Sequence, residues 1–121
     1  MARIDITDES MEKLVKEYAR GIERWKEHEF MVYIQETSNV RLGQDIILNG
    51  FPKGFMKSKK IHEFIENREL LVLALYTNER YNKTEEEDRI SRDVDGYRFE
   101  LRVHTLQRPG PTLECTIKKV Q

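Results

Sequence analysis

The sequence has almost no cysteine and no long hydrophobic run. Its single cysteine, Cys115, excludes an intrachain disulfide and a cysteine-rich zinc site, and we expect it to be a small buried side chain in a strand. The N-terminal stretch MARIDITDES has no apolar signal core, and no apolar run approaches the roughly 20 residues of a membrane span. These absences predict a soluble protein of the cytoplasm.

An excess of either charge is also lacking. The chain carries 21 Lys and Arg against 22 Asp and Glu, so its formal net charge at pH 7 is -1. A chain with balanced charge has no bulk electrostatic attraction for duplex nucleic acid or for an acidic membrane. Any anion-binding site must therefore be local, built from a few cationic side chains.

Sequence signatures of catalysis are absent as well. No serine lies in a G-x-S-x-G motif, and none of His28, His62 and His104 lies three or four residues from another histidine. The stretch GFPKGFMKSKK lacks the spacing of a phosphate-binding P-loop, although lysines at a helix start leave a weaker anion-binding alternative. We therefore expect a protein that is not an enzyme and that uses no cofactor or metal ion.

Apolar residues at helical spacing predict two helices. The first spans residues 9–27 and begins after an N-cap oxygen from Thr7 or Asp8. The second spans residues 59–68 and is capped by Ser58. The residues predicted to face the core are Met11, Leu14, Val15, Tyr18, Ala19, Ile22 and Trp25 in the first helix and Ile61, Phe64 and Ile65 in the second.

Short segments without helical spacing predict strands at residues 3–6, 29–36 and 45–48. Residues 70–75 are apolar at every position, which is typical of a central strand covered on both faces. Residues 78–95 are polar and predict a loop. Its acidic run at residues 84–88 is either solvated or, alternatively, binds a metal ion.

The segments on either side of LQRPGPTLEC predict a β-hairpin with a loop at residues 107–111. One register satisfies both faces, and its pairs are Leu106 with Thr112, Val103 with Cys115, Leu101 with Ile117, and Glu100 with Lys118. The two prolines and the glycine account for the turn. Arg108 at its tip is not needed for that purpose.

Together these elements predict one α+β domain covering residues 1–121, with a mostly antiparallel sheet of about five to six strands and two helices. With only two helices, one sheet face is either shared between them or covered by another subunit. We therefore expect a homo-oligomer.

Arginines and aromatic residues supply the candidate ligand-binding site. Guanidinium groups bind phosphates in a forked geometry, and aromatic rings stack on bases, so the combination suits an anion of nucleotide size. For each arginine taken singly, a solvated salt bridge is the alternative interpretation. The predicted ligand-binding residues are Arg24, Trp25, Tyr81, Asn82, Arg98, Arg102, His104 and Arg108.

In outline the chain is similar to the phage-encoded anti-Thoeris sponges, through its size, an early helix, a second helix in mid-chain, strands around both, and arginines on the first helix and near the final hairpin. Those proteins form oligomers that sequester cyclic ADP-ribose-type signals, and some hold cyclic oligonucleotides, without degrading them. The resemblance implies that Arg24 and Arg108 contact phosphate and that Tyr81 and Asn82 contact a base or ribose. The mid-chain glycine loop and the acidic run match no motif of that family.

The sequence thus favours a non-enzymatic protein that sequesters a small phosphorylated signalling nucleotide, as in phage anti-defence, in the host cytoplasm. An alternative is a protein-interaction inhibitor or adaptor that acts through the acidic run at residues 84–88 and a sheet edge. A hydrolase that depends on His104 is a third hypothesis.

Overall fold

The computed structural model describes residues 3–21, 39–42, 46–49, 54, 57–104 and 112–120. They form an α+β fold, as predicted. The strands are β1 (Arg3–Ile6), β2 (Asn39–Leu42), β3 (Ile46–Asn49), β4 (Arg89–Val94), β5 (Tyr97–His104) and β6 (Thr112–Lys119). The longer helices are α1 (Asp8–Glu17), α2 (Lys59–Glu66) and α3 (Glu69–Thr84). The predicted strand at residues 29–36 lies outside the described residues.

The six strands form one sheet in the order β1-β4-β5-β6-β3-β2. The pairs β1–β4 and β3–β6 are parallel, whereas β2–β3, β4–β5 and β5–β6 are antiparallel. The sheet is therefore mixed. Three of its five pairings are antiparallel, in agreement with the prediction of a mostly antiparallel sheet, but the two parallel pairings were not predicted. Both parallel pairs join strands that are far apart along the chain, so alternation within each strand did not reveal them.

Helix α1 begins where the sequence predicts. The Thr7 side-chain Oγ1 accepts a hydrogen bond from the Ser10 backbone N–H at 3.2 Å, and the Thr7 N–H donates to Ser10 Oγ at 2.8 Å. This reciprocal capping box satisfies two backbone donors at the start of the helix. After a turn at Tyr18 the chain is again helical at residues 19–21, and the rest of the first predicted helix lies outside the described residues.

Residues 70–75 are helical, so the prediction of a strand there is wrong. They form the first half of α3, where Leu70, Leu73 and Ala74 are at most 3% exposed. A continuous apolar run fits a helix buried on all sides as well as a buried strand, and Leu and Ala favour the helix. The described residues therefore contain three helices of at least eight residues, against the two predicted.

The predicted loop at residues 78–95 is also wrong, because α3 continues to Thr84 and β4 begins at Arg89. The acidic run is divided between different surroundings. Glu85 ends the helix with a φ of 56°, and Asp88 is only 4% exposed. The buried Asp88 carboxylate accepts hydrogen bonds from Arg80 Nη2 at 2.5 Å and Nε at 3.2 Å, so this acid belongs to the structure of the helix end.

The final hairpin forms, but its register differs from the prediction by two residues. Leu101 pairs with Cys115 and Val103 with Leu113, whereas Ile117 lies opposite Phe99. A shift of two residues leaves every side chain on its predicted face, because side chains in a strand alternate with period two. The apolar pattern therefore could not distinguish the two registers, and the loop residues that would have decided it lie outside the described residues.

The helices cover one face of the sheet, and the core lies between them. Phe99 and Leu101 on β5 and Cys115 on β6 are fully buried, and the Phe99 ring lies 4.9 Å from the Phe64 ring of α2. Cys115 is thus a buried strand residue, as predicted, and burial raises the pKa of its thiol. Among the residues whose side-chain burial the structure describes, Val120 is the one large hydrophobic side chain that is exposed. The expected homo-oligomer stays a prediction.

Candidate functional site

The sheet face opposite the helices is polar and carries a line of three arginines. The parallel β1–β4 register pairs Arg3 with Arg89. The antiparallel β4–β5 register pairs Ile90 with Leu101. The next pair along the two strands is therefore Arg89 with Arg102. Neighbouring strands are about 4.8 Å apart, so the three residues span about 10 Å across the sheet. We call Arg3, Arg89 and Arg102 the arginine row.

The tight turn between β4 and β5 fixes this alignment. It consists of Asp95 and Gly96, whose φ angles of 49° and 81° lie in the left-handed region. Two residues with positive φ form the hairpin turn that best matches the twist of the strands, and Asp-Gly is one of its preferred sequences. Ser58, the N-cap of α2, donates a hydrogen bond to Asp95 at 2.5 Å and connects the turn to the helix layer.

All three arginines of the row are accessible to a ligand. The exposed fractions of their side chains are 47% for Arg3, 45% for Arg89 and 40% for Arg102. The remaining half of each side chain is covered by neighbours on the sheet. The sheet therefore fixes the base of each arginine side chain, and the guanidinium groups remain accessible to solvent.

The carboxylate partners of the row differ in how tightly they bind. Arg3 Nε donates to Asp5 Oδ1 at 2.9 Å, which is a hydrogen bond. The closest ion-pair distances of Arg89 to Glu100 and of Arg102 to Glu114 are 3.6 Å and 3.7 Å, longer than hydrogen bonds. These loose pairs balance the charge of adjacent arginines and leave N–H groups that an anion can bind.

Arg98 lies on the same face of β5 but has a tighter partner. Its Nε and Nη2 donate to the two oxygens of Asp93 at 2.8 Å and 3.2 Å, in a bidentate pair. These hydrogen bonds raise the pKa of Arg98 and hold the pKa of the Asp93 carboxyl below its usual range. The structure thus places Arg98 and Arg102 on one face, as predicted, but Arg98 is committed to Asp93.

The other predicted site residues are distributed differently. His104 is the last residue of β5, two positions after Arg102, and its Cα partner is Thr112. Tyr81 and Asn82 belong to α3, which packs on the helix-covered face. Tyr81 packs against the core and Asn82 is exposed there, so the sheet separates both residues from the arginine row. Three further predicted residues lie outside the described residues, namely Arg24, Trp25 and Arg108.

Sequence reasoning missed Arg3 and Arg89. Arg89 fell within the predicted loop, although the Asp95-Gly96 dipeptide that follows β4 is a strong hairpin signal and would have extended the strand pattern back to it. Arg3 was on a predicted strand, but its neighbour β4 is 86 residues further along the chain at the paired position. No local pattern indicates such a parallel pairing.

A cleft of about 440 Å³ lies between α1 and the start of α3 and offers a different chemistry. Met11 and Val15 line it together with the carboxylates of Asp8, Glu12 and Glu69. Burial raises the pKa of Glu69, which the nearby Arg92 guanidinium partly offsets. Lys16 and Arg92 also line the cleft, so its three carboxylates exceed its cations by one, and it is a poorer anion site than the arginine row.

In the part of the chain that the structure describes, no group of three or more His, Cys, Asp or Glu side chains is placed to hold a metal ion. None of the described helices is long and apolar enough to cross a membrane. Comparison of the chain with known proteins finds no matching family model, no matching curated protein and no matching solved structure.

Proposed function

We propose that the protein binds and sequesters a small phosphorylated nucleotide without converting it, and that the arginine row holds the phosphates. The observation that supports this proposal is the alignment of Arg3, Arg89 and Arg102 across three adjacent strands, each 40% to 47% exposed. The resemblance to anti-Thoeris sponges suggests the ligand class, which is a cyclic ADP-ribose-type molecule or a cyclic oligonucleotide.

The geometry of the row suits two phosphate groups. Each guanidinium presents paired N–H donors that match two oxygens of one phosphate, and adjacent arginines about 4.8 Å apart can share the oxygens of a pyrophosphate. A phosphate would replace Glu100 and Glu114, whose carboxylates stand 3.6 Å and 3.7 Å from Arg89 and Arg102. Guanidinium groups stay protonated at physiological pH, so they bind charge and do not act as a general base.

Native mass spectrometry of freshly purified protein, followed by calorimetric titration, tests the proposal. The titrated probes are ADP-ribose, cyclic ADP-ribose and cyclic di-AMP. We expect at least one probe to bind. We also expect that a nucleotide released from the protein has the same mass as before binding, because the protein does not convert it. If no nucleotide is recovered and no probe gives heat, the proposal is wrong. If product accumulates with time, the protein is an enzyme.

Variants of the row connect binding to the arginines. Arg89→Lys and Arg102→Lys keep the positive charge beside Glu100 and Glu114 but remove the fork, so we expect each to raise the Kd about tenfold. The matched control is Lys118→Ala, which removes an exposed cation from the same sheet face outside the row. Its Kd should stay within about twofold of the original value. Equal losses in all three variants would contradict a role specific to the row.

The alternative function is a protein-interaction inhibitor or adaptor. The observation that favours it is the position of β1 at the edge of the sheet, where an extended segment of a partner can add as a further strand. Glu85 and Glu86 are exposed at the end of α3, whereas Asp88 is buried, so the acidic surface is smaller than the sequence suggested. A pull-down that returns one stoichiometric protein, together with no binding of the nucleotide probes, would favour this function.

A further inference from the structure

A groove of about 510 Å³ lies along β1 and connects the arginine row to the start of α1. Arg3, the end of the row, is one of its lining residues. Its wall follows β1 and β4, and its far end is formed by Thr7 and Asp8. Because Arg3 belongs to both, a ligand that has its phosphates on the row can extend directly into the groove.

The groove exists because two neighbouring strands end at different points. The last β1–β4 pair joins Ile6 to Arg92, and the chain then turns away at Thr7 into α1. Strand β4 continues to Val94. Asp93 therefore extends past the end of β1, and a notch opens at the edge of the sheet.

Two polar atoms at the groove have no partner. Among the described residues, the buried side-chain N and O atoms without a hydrogen bond are Ser91 Oγ and Arg92 Nε. Both residues line the groove, but Ser91 lies on the sheet face of the arginine row, whereas Arg92 pairs with Ile6 and Phe99 on the face that the helices cover. Ser91 is 2% exposed, so its hydroxyl loses its hydrogen bonds to water on folding and gains no hydrogen bond within the protein. Buried polar groups in folded proteins nearly always have a partner, which suggests that this one binds something else.

The charges of the groove select the part of the ligand that it can hold. Asp5, Asp8 and Asp93 bring three carboxylates to its lining, against the guanidinium groups of Arg3 and Arg92. An additional phosphate would meet net negative charge there, whereas a ligand hydroxyl can donate to a carboxylate. The phosphates thus favour the arginine row, and a neutral group rich in hydroxyls favours the groove.

We infer that the groove binds the ribose of the nucleotide whose phosphates lie on the arginine row, with Ser91 and Asp5 as hydrogen-bond partners of the ribose hydroxyls. This inference rests on the proposed function. Asp5 Oδ1 accepts a hydrogen bond from Arg3 Nε. A carboxylate has further acceptor positions, which can accept hydrogen bonds from the ribose hydroxyls. Asp5 on β1 and Glu100 on β5 are the cross-strand neighbours of Ser91. Ser91 is two residues after Arg89 on β4, so the two Cα atoms are about 6.7 Å apart.

Ligand binding would also rearrange the charged side chains next to Ser91. Arg3 has a long side chain that is 47% exposed and is held by a single hydrogen bond to Asp5. When its guanidinium turns to a phosphate on the row, Asp5 loses this partner and gains a ribose hydroxyl in its place. Asp5, which is the cross-strand neighbour of Ser91, then presents its carboxylate to the ligand beside the Ser91 hydroxyl.

Calorimetric titration with three probes separates the groove from the row. ADP has both phosphates and a ribose diol, 2′,3′-dideoxy-ADP lacks the diol, and inorganic pyrophosphate lacks the whole nucleoside. We expect ADP to bind about tenfold more tightly than dideoxy-ADP, since one to two hydrogen bonds are lost. Ser91→Ala should weaken ADP about three- to tenfold and leave the other two probes unchanged. Asp5→Asn provides a second variant, which should reduce the preference for ADP over dideoxy-ADP; because it also releases Arg3 from its ion pair, it should bind pyrophosphate at least as tightly as the unmodified protein does.

Thr116→Ala is the matched control, because Thr116 lies in the same cross-strand line as Ser91, next to Glu100, but outside the groove. It should leave all three affinities unchanged. Equal affinities for ADP and dideoxy-ADP, or equal losses for all three probes in Ser91→Ala, would overturn the ribose site while the arginine row stands. If the unmodified protein binds none of the probes, including pyrophosphate, the row itself fails and the ribose site fails with it.

Discussion

At the scale of single residues, Ser91 is the position where the proposed binding role and the stability of the free protein have opposite requirements. Its hydroxyl is buried without a partner on a sheet face whose other side chains are mostly charged. Leaving such a group unsatisfied costs about 1–3 kcal/mol of stability. Natural proteins accept local costs of this size mainly where a site requires them, which agrees with the role inferred for Ser91 in the groove.

Replacing Ser91 with alanine should therefore stabilise the free protein. The substitution removes the unsatisfied hydroxyl and keeps nearly the same volume, so we expect the free energy of unfolding to rise by about 1 kcal/mol. For a chain of this length the Tm should rise by about 3–5 °C. Thermal unfolding without ligand measures this, with Thr116→Ala as the reference variant. A lower Tm in Ser91→Ala would show that the hydroxyl has a stabilising partner after all.

Arg98 and Arg102 show how far a sequence identifies individual site residues. They lie four positions apart on one strand, and the sequence placed both on the polar face correctly. Their difference comes from partners on neighbouring strands, since Asp93 binds Arg98 in a bidentate pair at 2.8 Å and 3.2 Å, whereas Glu114 stands 3.7 Å from Arg102. Residue types in one strand cannot reveal which cation is already paired.

At the scale of elements, α2 and the start of α1 were predictable because their caps and apolar spacing agree. Helix α3 was not. Its buried half, residues 70–74, has no polar position to show a helical period, and its polar half was then interpreted as a loop. The final hairpin was predictable in its faces but not in its register, because a shift by two preserves both faces.

The end of α3 depends on one buried ion pair, and its loss should destabilise the fold. The Asp88 side chain is 3% exposed and that of Arg80 is 34% exposed. Asp88→Asn leaves the guanidinium partly buried without a charged partner, so we expect a loss of about 1–3 kcal/mol in the free energy of unfolding. Urea denaturation measures it. Glu86→Gln, two residues earlier and exposed, should change the value by less than about 0.5 kcal/mol. Equal effects would mean that Asp88 contributes only bulk charge.

At the scale of the whole molecule, the candidate site arises from the topology of the sheet. Residues 3, 89 and 102 belong to three strands, of which two are joined by a parallel pairing across most of the chain. The sequence supplied one of these arginines, through the polar face of β5. The other two required knowledge of which strands are neighbours, and this is a property of the complete fold that no local periodicity contains.

The pairing of carboxylates with cations across the molecule should also set its response to acid. Hydrogen bonds from Arg98 lower the pKa of Asp93, and those from Lys83 and Tyr18 lower the pKa of Glu79. A carboxyl group whose pKa is lower when folded stabilises the protein above its unfolded pKa, and this contribution is lost as the pH falls through its folded pKa. We therefore expect the free energy of unfolding to decrease below about pH 5, and Asp93→Asn to make the decrease shallower. Urea titrations at several pH values measure it, with the exposed Glu66→Gln as control. An unchanged acid dependence in Asp93→Asn would contradict the stabilising role of its pair with Arg98.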